Sequence, residues 1–297
     1  MDTDVAIVGG GFAGLSAALQ LARARRRVTV FDTGTPRNRF AAASHGFLTR
    51  DGVPPHDILA EARRQILAYP TIRIVDSAVR SVTGEADAFE IRATGRSAVT
   101  ARRVVLAYGV SDTLPDIPGL REQWGRRVAH CPYCHGYEFD GRPLGVIASM
   151  AGAYHQAMLV REWGPVTLFT NDALALEADQ RAELARRDIA IESAAISSIA
   201  EQVDGLSVHM AIGGSAHLAG LFVQPRSRPS APIADDLGCV MVDGPFGPVV
   251  KVDDMKRTSV AGVFAAGDLA RPAGNVSLNV ADGTMAGSAT HQSLVFG

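Results

Sequence analysis

The sequence predicts an α/β protein built from two nested Rossmann-like (three-layer ββα) domains of the dinucleotide-binding type. Three observations predict it. The apolar run Val5-Ala6-Ile7-Val8 leads into Gly9-Gly10-Gly11-Phe12-Ala13-Gly14 and then into a helical pattern over 15–24. A second strand–turn–helix–strand order recurs over 144–169 and echoes the first. Hydrophobic residues make up 47% of the 297 positions but aromatics only 6%, so Ala, Val, Leu and Gly carry the apolar load. That composition suits parallel strands covered by helices.

Each element follows in order. Val28-Thr29-Val30-Phe31 reads as a second strand ending in Asp32, which completes a compact βαβ unit. Residues 33–52 form a loop rich in turn residues. A helix is expected over 56–69, with Ile58, Leu59, Ala62, Ile66 and Leu67 on one face. Short strands are expected at 72–75, 89–91 and 104–106. Leu114-Pro115-Asp116-Ile117-Pro118-Gly119 reads as a linker, because two prolines and a glycine break regular structure. The second block has strands at 144–147 and 166–169 around a helix at 154–163. Pro225-Arg226-Ser227-Arg228-Pro229 reads as the return linker. Strands at 249–252 and 263–266 and a closing helix at 281–294 complete the chain. The second block is therefore expected to be inserted in the first. Residues 1–113 and 228–297 form a discontinuous domain, and residues 114–227 form the inserted one.

Charge and cysteine usage exclude several classes. The net charge is −2, and no basic stripe with interleaved aromatics is present, which argues against nucleic-acid binding. Arg23-Ala24-Arg25-Arg26-Arg27 falls where a helix should end, so it pairs favourably with the helix dipole. Three cysteines argue against a secreted disulfide scaffold. No apolar run is long enough to span a membrane, and the N-terminus lacks a signal-like region. A soluble cytoplasmic protein is expected.

Gly9-x-Gly11-x-x-Gly14 lies between a strand and a helix, and an acid ends the next strand. The glycines permit a tight turn, approach of a pyrophosphate and close helix–strand packing; the diphosphate rests on the helix N-terminus. Asp32 can accept hydrogen bonds from a ribose hydroxyl and disfavours a 2′-phosphate, so the site suits FAD or NAD rather than NADP.

Cys131-Pro132-Tyr133-Cys134-His135 carries the second chemistry. Zinc would need further Cys or His ligands, but Cys239 is remote and His135 is poorly spaced, so no metal is expected. A structural disulfide or a pair of inert core thiols fits a reducing compartment and a polar neighbourhood poorly. Redox use fits best. A thiolate attacks a disulfide or a flavin, and a neighbouring base must move the proton. His135 can serve as that base, while His130 is as readily a bystander. Cys239 lies beside Val240 and Met241 and is expected to be buried and inert.

Thr258-Ser259-Val260-Ala261-Gly262-Val263-Phe264-Ala265-Ala266-Gly267-Asp268 resembles a motif of the two-dinucleotide-domain flavoprotein disulfide reductases. The resemblance implies FAD, with Gly267 and Asp268 at its ribityl chain and pyrophosphate. Leu106-Ala107-Tyr108-Gly109 resembles the family's A-T-G strand end, with Tyr108 replacing Thr. Ala78-Val79 occupies the place of its adenine-contacting backbone. The order of flavin glycines, mid-chain Cys-x-x-Cys and late Gly-Asp is that of low-molecular-weight thioredoxin reductases. In that family the second cysteine is nearer the flavin, which implies that Cys134 faces FAD and Cys131 meets the partner. His135 stands where the family has Asp, and Cys-x-x-Cys-His-Gly-Tyr-Glu looks like its dithiol-oxidase branch.

The resemblance also exposes a loss. The family's second glycine loop, G-x-G-x-x-A, is matched by Ala148-Ser149-Met150-Ala151-Gly152-Ala153. Its His-Arg-Arg clamp for the 2′-phosphate is matched by Thr170-Asn171-Asp172. The family's Arg-Gln before the last helix is matched by Asn275-Val276. The expected activity is therefore FAD-dependent oxidation of a dithiol to a disulfide in a homodimer, with oxygen or another acceptor taking the electrons and NADPH unused. The partner would be a small-molecule dithiol or a thioredoxin-like protein. Rival readings are an NAD(P)H- or ferredoxin-dependent disulfide reductase and a non-enzymatic flavin redox sensor. The 33–52 loop, with His45 and Arg50, is expected at the flavin edge, and His291 is expected to pack or lie at the surface.

Overall fold

The computed structural model describes residues 2–297. The chain divides into two compact units, one of Met1–Arg39, Pro54–Ser111 and Ser227–Gly297, the other of Phe40–Val53 and Asp112–Arg226. Read from sequence, residues 1–113 were continuous; here Phe40–Val53 groups with the inserted stretch instead.

The first unit opens with β1 (Thr3–Val8), α1 (Phe12–Arg23) and β2 (Val28–Asp32), followed by α2 (Pro55–Leu67) and β3 (Ile72–Asp76). A meander of β4 (Val79–Thr83), β5 (Phe89–Ala93) and β6 (Val99–Leu106) comes next. β1 pairs in parallel with β2 and β6, and β2 in parallel with β3. Both faces of the parallel strands are covered, and the alternation of side chains divides β1 between two cores. Val5 and Ile7 face a core shared with Ala17, Leu21 and Ala286, whereas Ala6 and Val8 face one shared with Phe89, Ile91 and Ile233. β6 is long enough to serve two neighbours on one side. Val99 and Ala101 pair antiparallel with β5, while Val104 to Leu106 pair in parallel with the strand Val263–Ala265 near the end of the chain.

β7 (Val110–Thr113) leads into the second unit. Its parallel strands are β8 (Val128–Ala129), β9 (Leu144–Ile147), β10 (Val166–Phe169) and β11 (Ile189–Glu192). Between β8 and β9 lies the one-turn helix α3 (Pro132–His135); α4 (Ala153–Val160) and α5 (Ala178–Arg186) connect the later strands. An antiparallel meander follows, β12 (Ile196–Gln202), β13 (Gly205–Met210) and β14 (Ser215–Leu218), and then β15 (Gly220–Val223). The parallel sheet runs β11-β10-β9-β15-β8. One face packs on the helices through Leu144, Val146, Ala157 and Leu184. The other packs on the meander through Ile147, Phe169, Val208 and Leu221. This is a helix–sheet–meander sandwich of three layers.

β16 (Arg226–Pro229), expected as a linker, is a strand that pairs with β7. The chain then completes the first unit with α6 (Ile233–Asp236), the hairpin β17 (Met241–Gly244) and β18 (Gly247–Val250), β19 (Val263–Ala265) and α7 (Val276–Phe296). α7 begins earlier than expected because the Asn275 side chain caps it, accepting the Leu278 N–H at 2.9 Å. α7 crosses α1 closely, and a Cβ on Gly287 would lie 2.7 Å from the Ala17 carbonyl oxygen.

Candidate functional site

In the first unit, β1 delivers its chain end to the start of α1. Gly9 sits at φ +105°, and a Cβ there would meet the Ala107 carbonyl. A Cβ on Gly14 would meet the Gly9 carbonyl. Gly11 is the N-cap of α1, has no side-chain cap, and faces open space where a Cβ would lie. Its helix therefore offers uncapped N–H groups at a positive dipole end. Gly267 (φ +75°) joins the same turn, since a Cβ on it would lie 2.9 Å from the Ala13 side chain.

Two carboxylates flank this turn, and each is held by cations and amides. Asp32 accepts from the Gly10 N–H at 3.3 Å and the Gly34 N–H at 3.2 Å. Arg63, on α2, donates to Asp32 Oδ2 at 2.9 Å and to Asp76 Oδ1 at 2.7 Å. Asp268 accepts from Arg37 Nη1 and from Asn279 Nδ2, both at 3.0 Å. Asn279 Oδ1 is buried without a hydrogen-bond partner. Sequence reasoning missed Arg37, Arg63 and Asn279.

The other expected contacts are spread more widely. Gly109 (φ +67°) follows Tyr108 at the end of β6, and Tyr108 accepts the Ala234 N–H at 3.1 Å through its hydroxyl. Burial pushes the Tyr108 phenol up. Ala78 and Val79 lie at the junction of β3 and β4, where the Ala78 carbonyl takes the Thr94 N–H at 2.9 Å. Cys239 is buried, and burial raises its thiol.

The dithiol belongs to the second unit. Cys131 and Cys134 are joined as a disulfide, with Cα atoms 5.3 Å apart. Cys131 caps α3, Pro132 takes its first position, and Gly136 ends it with its N–H on the Pro132 carbonyl at 2.6 Å. Gly136 also leaves room for Trp163, whose indole would lie 2.7 Å from a Cβ there. Tyr133 packs edge-on against Trp163 at 5.3 Å between ring centres, yet stays 71% exposed. His135 is half-buried, and its buried Nδ1 has no hydrogen-bond partner. Burial pulls its imidazole below the usual range; Glu138 raises it, His45 lowers it and the Cys131 carbonyl raises it. His130 stacks on Trp124 at 6.0 Å, and His291 Nε2 lies 3.3 Å from Arg26 Nη2. Among the described residues, no cluster of three or more His, Cys, Asp or Glu could hold a metal ion.

The second glycine-loop equivalent has a different shape from the first. After β9, residues 148–152 bend and turn before α4 starts at Ala153, whereas α1 starts at once after Gly11. Ser149 Oγ donates to the Gln224 carbonyl at 2.7 Å, and the Gln224 amide oxygen occupies the space 2.7 Å from a Cβ on Gly152. Asn171 and Asp172 turn left-handed at φ 49° and 53°, and Asn171 Oδ1 accepts the Ile196 N–H at 2.8 Å.

Residues 3–286 match the model of the pyridine nucleotide-disulphide oxidoreductases. The chain belongs to that family. Within it, the chain is thioredoxin reductase-like. It is 32% identical over 296 residues to the thioredoxin reductase tcpT of Claviceps purpurea, covering 96% of this chain and 92% of that protein. The crystal structure of an oxidoreductase from Agrobacterium tumefaciens superposes with a TM-score of 0.96 at 49% identity, covering 100% of this chain and 99% of that one. The crystal structure of HlmI superposes with a TM-score of 0.92 at 39% identity over 99% of this chain and 93% of that one.

Thioredoxin reductase-like oxidoreductases are flavoproteins with FAD as their cofactor, and the residues present fit it. The open space at Gly11, the uncapped α1 N-terminus and the orphaned Asn279 oxygen are features a dinucleotide would complete. Among the described residues, no helix is long and apolar enough to cross a membrane.

Proposed function

We propose that this oxidoreductase oxidises a dithiol to a disulfide through Cys131–Cys134, hands the electron pair to FAD, and does not use NADPH. The observation that carries the reading is the pairing of an intact dithiol with a spoiled nicotinamide loop. Cys131 and Cys134 are within disulfide reach beside His135, whereas 148–152 lacks the glycine turn and Thr170-Asn171-Asp172 lacks cations. FAD would be held by Gly9, Gly11, Gly14, Asp32, Gly109, Gly267 and Asp268, with Ala78 and Val79 at its adenine end; when bound, it supplies a two-electron acceptor that oxygen or another oxidant can empty.

The chain's own residues perform the exchange. A substrate thiolate attacks Cys131 Sγ, breaking the Cys131–Cys134 bond and releasing Cys134 as a thiolate. The second substrate thiol loses its proton and attacks the substrate sulfur bonded to Cys131. That step closes the substrate disulfide and leaves Cys131 and Cys134 holding two additional electrons. His135, whose burial favours the neutral imidazole, accepts a substrate proton. Tyr133 and Tyr137, 71% and 85% exposed, offer aromatic surface beside the sulfurs for a small apolar dithiol. A homodimer is part of the proposal.

Anaerobic mixing of the FAD-loaded protein with a small dithiol tests the reading. The flavin should bleach, and Cys134→Ser should abolish bleaching while leaving the flavin bound. Bleaching that survives in Cys134→Ser would overturn the route through the cysteine pair. The reductase direction is favoured by one observation, the name of the tcpT relative; it requires rapid flavin reduction by NADPH or another donor.

A further inference from the structure

We propose that α4 and the turn that continues it hold the dithiol turn α3 at both ends, with Gln156 and Trp163 as positioning residues that keep Cys131 and Cys134 within bonding reach when the disulfide is open. The inference rests on the reading that this cysteine pair cycles between dithiol and disulfide.

Both contacts come from one stretch of chain. α4 places Ala153, Ala157 and Val160 in one core with Leu144, Val146 and Leu168. The turn Arg161–Trp163 follows α4 directly, so Gln156 and Trp163 stand seven residues, or about two helical turns, apart. Gln156 meets the start of the dithiol segment. Its Nε2 donates to the His130 carbonyl at 2.9 Å, one residue before Cys131. Trp163 meets the other end. Gly136 lies so close to it that a Cβ would sit 2.7 Å from the indole. Tyr133, between the two cysteines, packs edge-on against the same ring at 5.3 Å between centres.

Gln156 is only 7% exposed, and its Oε1 is buried without a hydrogen-bond partner. An unpaired buried acceptor destabilises a fold, so a position that served packing alone would favour an apolar side chain. The donor end supplies the reason for an amide, because it fixes the backbone that carries Cys131. α3 is a single turn of four residues, far shorter than a helix that is stable by itself. Its order must come from its neighbours. A disulfide closes more readily when its two thiols are already held near each other, since less chain freedom is lost as the bond forms. Anchors at His130 and Gly136 supply that order to the open pair. Loss of either anchor therefore shifts the pair toward the dithiol.

The test equilibrates the FAD-loaded protein anaerobically in dithiothreitol buffers of graded reduced-to-oxidised ratio, then traps free thiols by alkylation and counts them on the Cys131–Cys134 peptide by mass spectrometry. As the cysteine bond opens to two thiols, dithiothreitol closes to its cyclic disulfide, so two electrons and two protons pass between the pairs. Gln156→Leu and Trp163→Ala should each be half-reduced at a dithiothreitol ratio about threefold or more below that of the wild type. Trp163→Phe keeps a ring for Tyr133 and should stay within about twofold. A residue that only stabilises the fold would lower the melting temperature and leave that ratio unmoved. A ratio unchanged within about twofold in either Gln156→Leu or Trp163→Ala, or a shift toward the closed disulfide, would overturn the proposal. If Gln156→Leu fails to fold, Gln156→Met takes its place. If Trp163→Ala fails, Gly136→Ala does, because its methyl would meet the indole and the Pro132 carbonyl. The same shift is expected of each substitute, and its absence overturns the proposal. A wild-type flavin that ignores small dithiols would instead defeat the oxidation reading, while the dithiothreitol ratio still decides the anchors.

Discussion

NADPH should reduce the flavin of this oxidoreductase poorly, and the size of the effect can be worked from the 170–172 turn. A 2′-phosphate clamp needs cations there, and the resemblance to thioredoxin reductases places two arginines at these positions. Here Asn171 spends its amide oxygen on the Ile196 N–H at 2.8 Å, and Asp172 adds a negative charge. Each missing charge-assisted contact is worth about 1.5–3 kcal/mol. Two together amount to about 3–6 kcal/mol, or about a 100- to 10,000-fold weaker dissociation constant at 1.4 kcal/mol per decade. The turn at 148–152 lacks the bare-backbone shape of Gly9–Gly14 as well, so that range is expected as a lower bound. The assay is anaerobic stopped-flow mixing with excess NADPH, following flavin absorbance, beside the same experiment with a small dithiol. Slow or absent bleaching by NADPH with rapid bleaching by the dithiol is expected. Rapid, complete bleaching by micromolar NADPH would refute both the arithmetic and the claim that this loop has lost its ligand.

Two further outcomes probe the first unit. Gly9→Ala forces a Cβ into the left-handed region and against the Ala107 carbonyl, which should cost on the order of 2–3 kcal/mol and cut FAD retention; unchanged melting and flavin content would count against the tight-turn reading. Asp282, 3% exposed, accepts from Arg271 at 2.9 and 2.6 Å and meets Lys256 at 2.7 Å. Asp282→Asn should cost about 2–3 kcal/mol and lower the melting temperature by about 3–5 °C. Burial alone would raise the Asp282 carboxyl, but the hydrogen bonds from Arg271 and Lys256 outweigh it and hold it below its ordinary 3.8. Its stabilisation is therefore complete above about pH 4 and fades as pH falls through the lowered native value. The Asn variant should show a flatter loss of stability on that acid side, measured by denaturant titration at several pH values.

The parallel elements were legible because both faces are buried. Val5 to Val8 and Leu144 to Ile147 read as unbroken apolar runs, and the glycine turn after β1 left a spacing that only a close approach explains. The meander of the second unit was not legible. β12 alternates buried Ile196 and Ile199 with polar, partly exposed positions, and it ends in an exposed Glu-Gln pair, so it resembles an ordinary loop. β16 was hidden by its flanking prolines and becomes a strand only by pairing with β7. The cysteine pair and the glycine turn after β1 were legible as motifs. The partners of the acids were not, since Arg37, Arg63 and Asn279 meet Asp32 or Asp268 only once the chain has folded, and no local pattern marks them. The same holds for the neighbour of His45, Glu138, which no local pattern marks.

The two internal echoes show where one scaffold can diverge without losing its core. β1 and β9 each feed alternate side chains to two cores and each begin a parallel sheet. What differs is the turn after the strand. At Gly9 to Gly14, a Cβ on Gly9 or Gly14 would strike backbone, one on Gly10 would strike the Asp32 side chain, and Gly11 leaves open space at an uncapped helix end. At 148–152, Ala148 is buried, Ser149 is tied to Gln224, and helix formation waits until Ala153. Packing of the strand demands only apolar side chains, so it survives loss of the glycines. Binding of a diphosphate favours bare backbone at the helix start, so it is the property expected to be lost there. The second unit thus keeps the architecture of a dinucleotide domain because its sandwich needs it, and on the proposed reading its chemistry would lie in the cysteine pair of α3.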